Sequence, residues 1–106
     1  TGVAFNAKVT VIQANKNDDL SIADSLNHKP RDIAIYLSSL NYQDDFIDNQ
    51  QPKSLVKQAL REGVNLGRSG LGSIYVFGAG NRGSLSKSCV LDGYLNSIYT
   101  FGISSA

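Results

Sequence analysis

One run of residues constrains this chain more than any other: Leu71-Gly72-Ser73-Ile74-Tyr75-Val76-Phe77-Gly78-Ala79-Gly80-Asn81-Arg82-Gly83. Ile74, Tyr75, Val76 and Phe77 are consecutive β-branched and aromatic residues, the pattern of a strand covered on both faces in a parallel sheet. Gly78, Gly80 and Gly83 then let the backbone take positive φ or approach another group closely. Asn81 is an amide side chain presented at that turn. Open α/β sheets place their ligands at the carboxyl ends of such strands. The run therefore predicts a central strand that opens into a site.

The remaining elements follow in order. Residues 8–13 (Lys-Val-Thr-Val-Ile-Gln) read as a short strand, and residues 14–19 as a polar surface loop. Asp19 or Ser21 is placed to cap a short helix reaching about Asn27, with Leu20, Ile22, Ala23 and Leu26 as its apolar stripe. Pro30 stops it. A second strand is expected over residues 32–37, and its carboxyl end opens into a loop that runs to Gln51. Pro52 suits the first turn of a helix whose apolar positions are Leu55, Val56, Ala59, Leu60 and Val64. Gly67 and Gly70 end it. After the central strand and the glycine turn, residues 97–103 read as a last strand.

The order β-α-β-α-β-loop-β predicts an α/β fold with a mainly parallel sheet, in a single unit covering residues 1–106. The loops after the second and third strands should leave the same edge of the sheet. Ser39, Asn41, Asp44, Asn81 and Asp92 can therefore converge although they lie far apart in the chain.

Composition excludes several classes of function. A net charge of +1 with no basic run gives no electrostatic reason to expect a nucleic-acid partner. No apolar stretch approaches the roughly 18 residues that span a bilayer. The start, Thr1-Gly2-Val3-Ala4-Phe5, has neither a basic region nor a methionine, so the chain is expected to begin inside a structural unit. Cys89 is the single cysteine. It fits a reduced cytosolic protein, or a secreted one whose partner cysteine lies elsewhere.

Residues 78–83 satisfy G-x-G-x-x-G after a strand, but the residues that follow have no helical apolar stripe to hold a pyrophosphate at a helix N-terminus. A small nucleotide-binding α/β domain is thus a third reading. Asn81 is either a turn residue tolerant of left-handed geometry or a donor. Asp44, Asp45 and Asp92 are either solvated loop carboxylates or an acidic pocket for a guanidinium, which carboxylates bind in a bidentate manner. His28 reads as an exposed partner of a helix C-terminus. No cluster has metal-ligand spacing. No complete catalytic constellation is present.

Several blocks resemble the middle of the catalytic domain of kexin/furin-type proprotein convertases, calcium-dependent members of the subtilisin-like serine proteases. They are Gly2-Val3-Ala4-Phe5-Asn6-Ala7-Lys8, Asp44-Asp45, Gly63-Val64 with Gly67-Arg68, residues 70–77 with Gly80-Asn81, and residues 92–100 (Asp-Gly-Tyr-Leu-Asn-Ser-Ile-Tyr-Thr). The resemblance spans nearly the whole chain. It implies a subtilisin-like, Rossmann-like three-layer fold, present here as an incomplete catalytic domain. It also implies a serine endopeptidase that cleaves proproteins after basic residues in the secretory pathway (Golgi, membrane-associated or secreted).

The resemblance implies roles residue by residue. Asn81 matches the oxyanion-hole asparagine, a donor whose loss costs about a hundred- to thousandfold in turnover. Asp44 and Asp92 match carboxylates of the pocket for the substrate arginine, and Asp44 is also a candidate calcium ligand. Ser39 and Asn41 fall where substrate backbone is added as a strand, and Tyr94 near an outer basic-residue subsite. The implied partners are a basic protein or peptide substrate and the rest of the same catalytic domain.

The sequence also departs from the family. Ser39-Leu40-Asn41 replaces Ser-Trp-Gly, Gln50 replaces an acid for an outer basic residue, and Lys87 replaces a calcium-ligating acid. Cys89 matches a disulfide cysteine. The family's catalytic aspartate and histidine would precede Thr1, and its serine would follow Ala106. The isolated chain is therefore expected to be inactive, and to aggregate through uncovered sheet edges and apolar faces. A degenerate, non-catalytic relative that binds basic peptides is the alternative.

Overall fold

In the computed structural model, residues 2–39, 52–79 and 93–104 are described. They form two helices and three strands: α1 (Asp19–Leu26), β1 (Ile35–Ser38), α2 (Ser54–Gly70), β2 (Ile74–Gly78) and β3 (Thr100–Ile103). The strands make a parallel sheet in the order β1-β2-β3. Both helices pack on one face of it, in a single core built from Ile22, Ala23 and Leu26, Val56, Ala59 and Leu60, and Tyr36, Tyr75, Phe77 and Tyr94. This is a small α/β unit of two layers.

Apolar periodicity locates α2 because Val56, Ala59 and Leu60 fall on one stripe, and all three are buried. Its regular turns end at Leu66, since Gly67 has ψ 156° and Arg68 and Ser69 are both left-handed. Pro52 is buried but precedes the capping residue Lys53, so it stands outside the first turn rather than in it. In α1 the cap is Asp18, whose carboxylate accepts from the Leu20 amide at 3.2 Å, rather than Asp19 or Ser21. Ser21 instead accepts from the Asn15 amide at 2.9 Å and so closes the preceding loop.

Three strand expectations need correction. Residues 8–13 form no strand. An extended segment becomes sheet only by pairing, and no described residue pairs with it; Val9 and Val11 are exposed and only Ile12 leans on the core. β1 starts at Ile35 rather than at residue 32, because the Asp32 and Ile33 amides both donate to the Lys29 carbonyl in a turn. β3 starts at Thr100, because Ser97 holds the preceding residues in a turn: its hydroxyl accepts from the Tyr99 amide and its carbonyl from the Thr100 amide.

The approach of α2 to β2 depends on glycines ahead of the strand. Gly63 and Gly67 lie one helical turn apart and face the start of β2. The Ser73 amide donates to the Gly63 carbonyl at 2.9 Å and the Gly72 amide to the Gly67 carbonyl at 2.8 Å. A Cβ on Gly67 would lie 2.8 Å from the Ser73 nitrogen, and at Gly72, where φ is +86°, a Cβ would meet the Val64 carbonyl oxygen. A Cβ on Gly78, by contrast, would meet no described residue.

Among the described residues, the central strand is covered on one face only. Tyr75 and Phe77 point into the core, whereas Ile74 and Val76 point the other way and are half-buried. Register places Ile35 beside Ile74, Leu37 beside Val76, and Val76 beside Phe101. The result is a sheet face of Ile35, Leu37, Ile74, Val76, Phe101 and Ile103 on which no described residue packs; Leu37 is 80% and Phe101 62% exposed. Such a contiguous apolar face drives association. The isolated chain is expected to sediment as species larger than a monomer at micromolar concentration, and the pair Leu37→Lys with Phe101→Lys to shift it toward monomer. An unchanged distribution would count against this.

Candidate functional site

Because the strands are parallel and in register, their carboxyl ends share one edge. Ser38 lies beside Phe77, and Gly78 beside Ile103. The Ala79 amide donates to the Ile103 carbonyl at 2.8 Å, which carries the pairing one residue past β2. Ser39 leaves β1 from that edge and is exposed. On the other side of the undescribed stretch 80–92, the chain returns at Gly93 and Tyr94, both buried. The Tyr94 ring lies 5.5 Å from that of Phe77 with planes tilted by 33°, and the Thr100 hydroxyl donates to its carbonyl. The chain thus leaves one edge side by side at Ser39 and Ala79, while Tyr94 packs behind it on Phe77.

Of the predicted site residues, the structure describes Ser39 and Tyr94. Asn41, Asp44, Asn81 and Asp92 lie outside the described residues, as do Gln50, Lys87, Cys89 and the glycine turn from Gly80 onward. Along the chain, Asn81 is two residues past Ala79, Asn41 two and Asp44 five past Ser39, and Asp92 adjoins Gly93. Ser39 stands at the edge with its side chain open to solvent. Tyr94 presents its ring to the core and is only 8% exposed. His28 is exposed at the end of α1, as the sequence predicts.

The core behind this edge contains a feature that sequence reasoning missed. Tyr36 and Tyr75 are partners in register across β1 and β2, with ring centroids 5.0 Å apart and planes within 25°. The Tyr75 hydroxyl donates to the Leu26 carbonyl at 3.1 Å and the Tyr36 hydroxyl to the His28 carbonyl at 2.7 Å. A helix leaves its last carbonyls without intrahelical partners, and the two tyrosines supply donors there. The available signal was the matching placement of an aromatic within Ile35-Tyr36-Leu37 and Ile74-Tyr75-Val76.

Burial raises the pKa of both phenols. That of Tyr75 reaches about 12, first because burial penalises the phenolate and then because Tyr36 is close. In the unfolded chain the group titrates near its ordinary value of about 10. The stabilisation is therefore complete below about pH 10 and declines as pH rises to about 12, a loss of about 3 kcal/mol at about 1.4 kcal/mol per pH unit. Denaturation midpoints should hold steady up to pH 9.5 and then fall, and Tyr75→Phe should flatten that fall. An alkaline limb of the same steepness in the variant would contradict it.

Among the described residues no group of three or more histidine, cysteine or acidic side chains is placed to hold a metal ion. No described helix is long and apolar enough to cross a membrane.

Comparison with known proteins places this geometry in context. No family model matches the chain. It is 42% identical over 98% of its length to proprotein convertase subtilisin/kexin type 5 of Rattus norvegicus. It is 44% identical over 99% to proprotein convertase subtilisin/kexin type 6 of Homo sapiens. With furin of Homo sapiens the identity is 43% over 99%. The chain spans only 6%, 11% and 14% of these three relatives, respectively. The parallel sheet with its shared carboxyl edge is thus carried by a sequence whose homologues, at 42–44% identity over one segment of each, are kexin/furin-type proprotein convertases.

Proposed function

We propose that this chain forms the central part of a subtilisin-like catalytic domain. In an intact polypeptide it supplies the oxyanion donor and the pocket for a basic side chain to a serine endopeptidase. The observation that carries this reading is the common edge of β1 and β2, which the chain leaves at Ser39 and Ala79, two residues ahead of Asn41 and Asn81 respectively. Acyl transfer needs a donor aimed at the developing oxyanion and a substrate strand held beside it. Asn81 gives the carboxamide, and Ser39 with Asn41 the strand-pairing backbone. Asp44 and Asp92 give charge for an arginine, and Tyr94 backs the outer subsite. The catalytic Asp, His and Ser belong to other segments of the polypeptide. The substrate is a protein or peptide with basic residues, met in the secretory pathway as the convertase relatives suggest.

Calcium enters this reading through Asp44 alone. Lys87 brings a positive charge where an acidic ligand is expected, so no step is routed through the ion. Leu40, Asn41, Gln50 and Lys87 favour a second reading, a non-catalytic relative that binds basic peptides.

The test uses a polypeptide carrying this segment and its flanks, assayed on fluorogenic peptides ending in arginine or leucine. Cleavage after arginine alone is expected. Asp92→Asn should raise KM roughly ten- to hundredfold, the worth of a hydrogen bond to a charged group. Saturable binding of the arginine peptide without cleavage would select the second reading, and indifference to arginine would overturn both.

A further inference from the structure

The tyrosine pair has a place in the fold that core packing alone does not explain. Tyr75 is fully buried and Tyr36 nearly so, yet each carries a hydroxyl that must find a partner when desolvated. Both hydroxyls reach the same helix end, at the carbonyls of Leu26 and His28. Tyr75 gets there by passing over Gly63 of α2, where any side chain would meet its ring. The same region is tied to α2 by the Arg68 amide, which donates to the Pro30 carbonyl at 2.8 Å. One end of α1 is therefore joined to β1, to β2 and to the end of α2.

The positions matter because these two strands lead to the candidate site. Ser39 lies three residues after Tyr36, and Ala79 four residues after Tyr75. At about 3.3 Å per residue, a strand pinned at the tyrosine has little freedom to slide at its carboxyl end. The rings are stacked in a close-packed core, so displacing one hydroxyl from its carbonyl moves the other ring as well.

We propose that Tyr36 and Tyr75 act as coupled positioning residues, each pinning its strand to the end of α1 so that the segments leaving β1 and β2 stay aligned with each other. The proposal rests on the function proposed above, since the aligned segments, at Ser39 and Ala79, lead along the chain to Asn41 and Asn81. It predicts coupling across the strand pair: removing either hydroxyl loosens the carboxyl ends of both strands.

The experiment is amide hydrogen exchange on the full chain with Tyr36→Phe, Tyr75→Phe and both together. Each single variant should speed exchange at residues 37–39 and also at 77–79 by roughly three- to tenfold, the worth of one net hydrogen bond. Amides in the middle of α2, at Ala59 and Leu60, should change little. Acceleration spread evenly through α2 would make the tyrosines ordinary core residues, and acceleration confined to the substituted strand would disprove the coupling. The Tyr36 hydrogen bond is less deeply buried than that of Tyr75, so Tyr36→Phe gives the result even if Tyr75→Phe fails to fold. No cleavage is measured, so the outcome stands apart from the peptidase assay.

Discussion

Gly63→Ala is expected to destabilise the chain by about 2–4 kcal/mol, although alanine is the better helix former. The intrinsic gain from replacing a helical glycine is about 1 kcal/mol. Against it stands a new Cβ placed on the Tyr75 hydroxyl, 2.7 Å from Cζ and 3.0 Å from Cε2 of the same ring. Tyr75 is fully buried and hydrogen-bonded, so its ring has nowhere to swing. Overpacking of this kind costs about 1–3 kcal/mol. Displacing the hydroxyl also leaves the buried Leu26 carbonyl unsatisfied, for about 1–3 kcal/mol more. The sum exceeds the propensity gain and is a large share of the roughly 5–15 kcal/mol by which ordinary domains are stable.

Urea denaturation in the Leu37→Lys, Phe101→Lys background would show the midpoint falling at an unchanged slope. A rise in midpoint would mean that Tyr75 does not cross α2 at Gly63. Combining Gly63→Ala with Tyr75→Phe should cost less than the two changes added separately, because they act on the same contact.

The second large effect is kinetic. In an active polypeptide that contains this segment, Asn81→Ala should lower kcat by about 10²–10³ while KM moves only a fewfold. The asymmetry follows from when the interaction forms. A carboxamide aimed at the oxyanion gains strength as charge develops, so its loss is felt in the transition state far more than in the bound substrate. Asn81→Asp should fare no better, since it replaces a donor by an anion beside a developing negative charge. Steady-state kinetics on an arginine peptide would decide. An unchanged kcat would return Asn81 to the plainer role of a residue suited to a left-handed turn.

Elements marked by periodicity were legible in the sequence, and elements that depend on a partner were not. Val56, Ala59 and Leu60 announce α2 because a 3.6-residue repeat needs no knowledge of what covers it. Ile74 to Phe77 announce β2 for a similar reason. Residues 8–13 carry an equally good strand pattern, yet β structure exists only between two segments, and no described strand lies beside this one. The parallel order gave the common edge, and with it the meeting of the Ser39 and Ala79 segments.

The glycines show the opposite limit. Glycine residues after β2 drew notice by their density, whereas Gly63, Gly67 and Gly72 ahead of it prove to be held by close neighbours. Nothing in the sequence of α2 says that a tyrosine from a strand will cross it. The tyrosine pair stayed hidden for the same reason: its acceptors are helix-end carbonyls, and backbone leaves no mark in a list of side chains.

The common edge of the parallel strands also bears on how such a protein can change over generations. Leu40, Asn41 and Gln50 follow the last residue of β1, and Lys87 follows that of β2. Among the described residues, those that build the interior belong to the helices, the strands and Tyr94. Under the proposed function, folding and recognition are thus written largely in separate parts of the chain, with Tyr94 shared by both. A lineage can trade one ligand preference for another, or lose turnover altogether, by drift after the strand ends, while selection for a stable scaffold continues undisturbed.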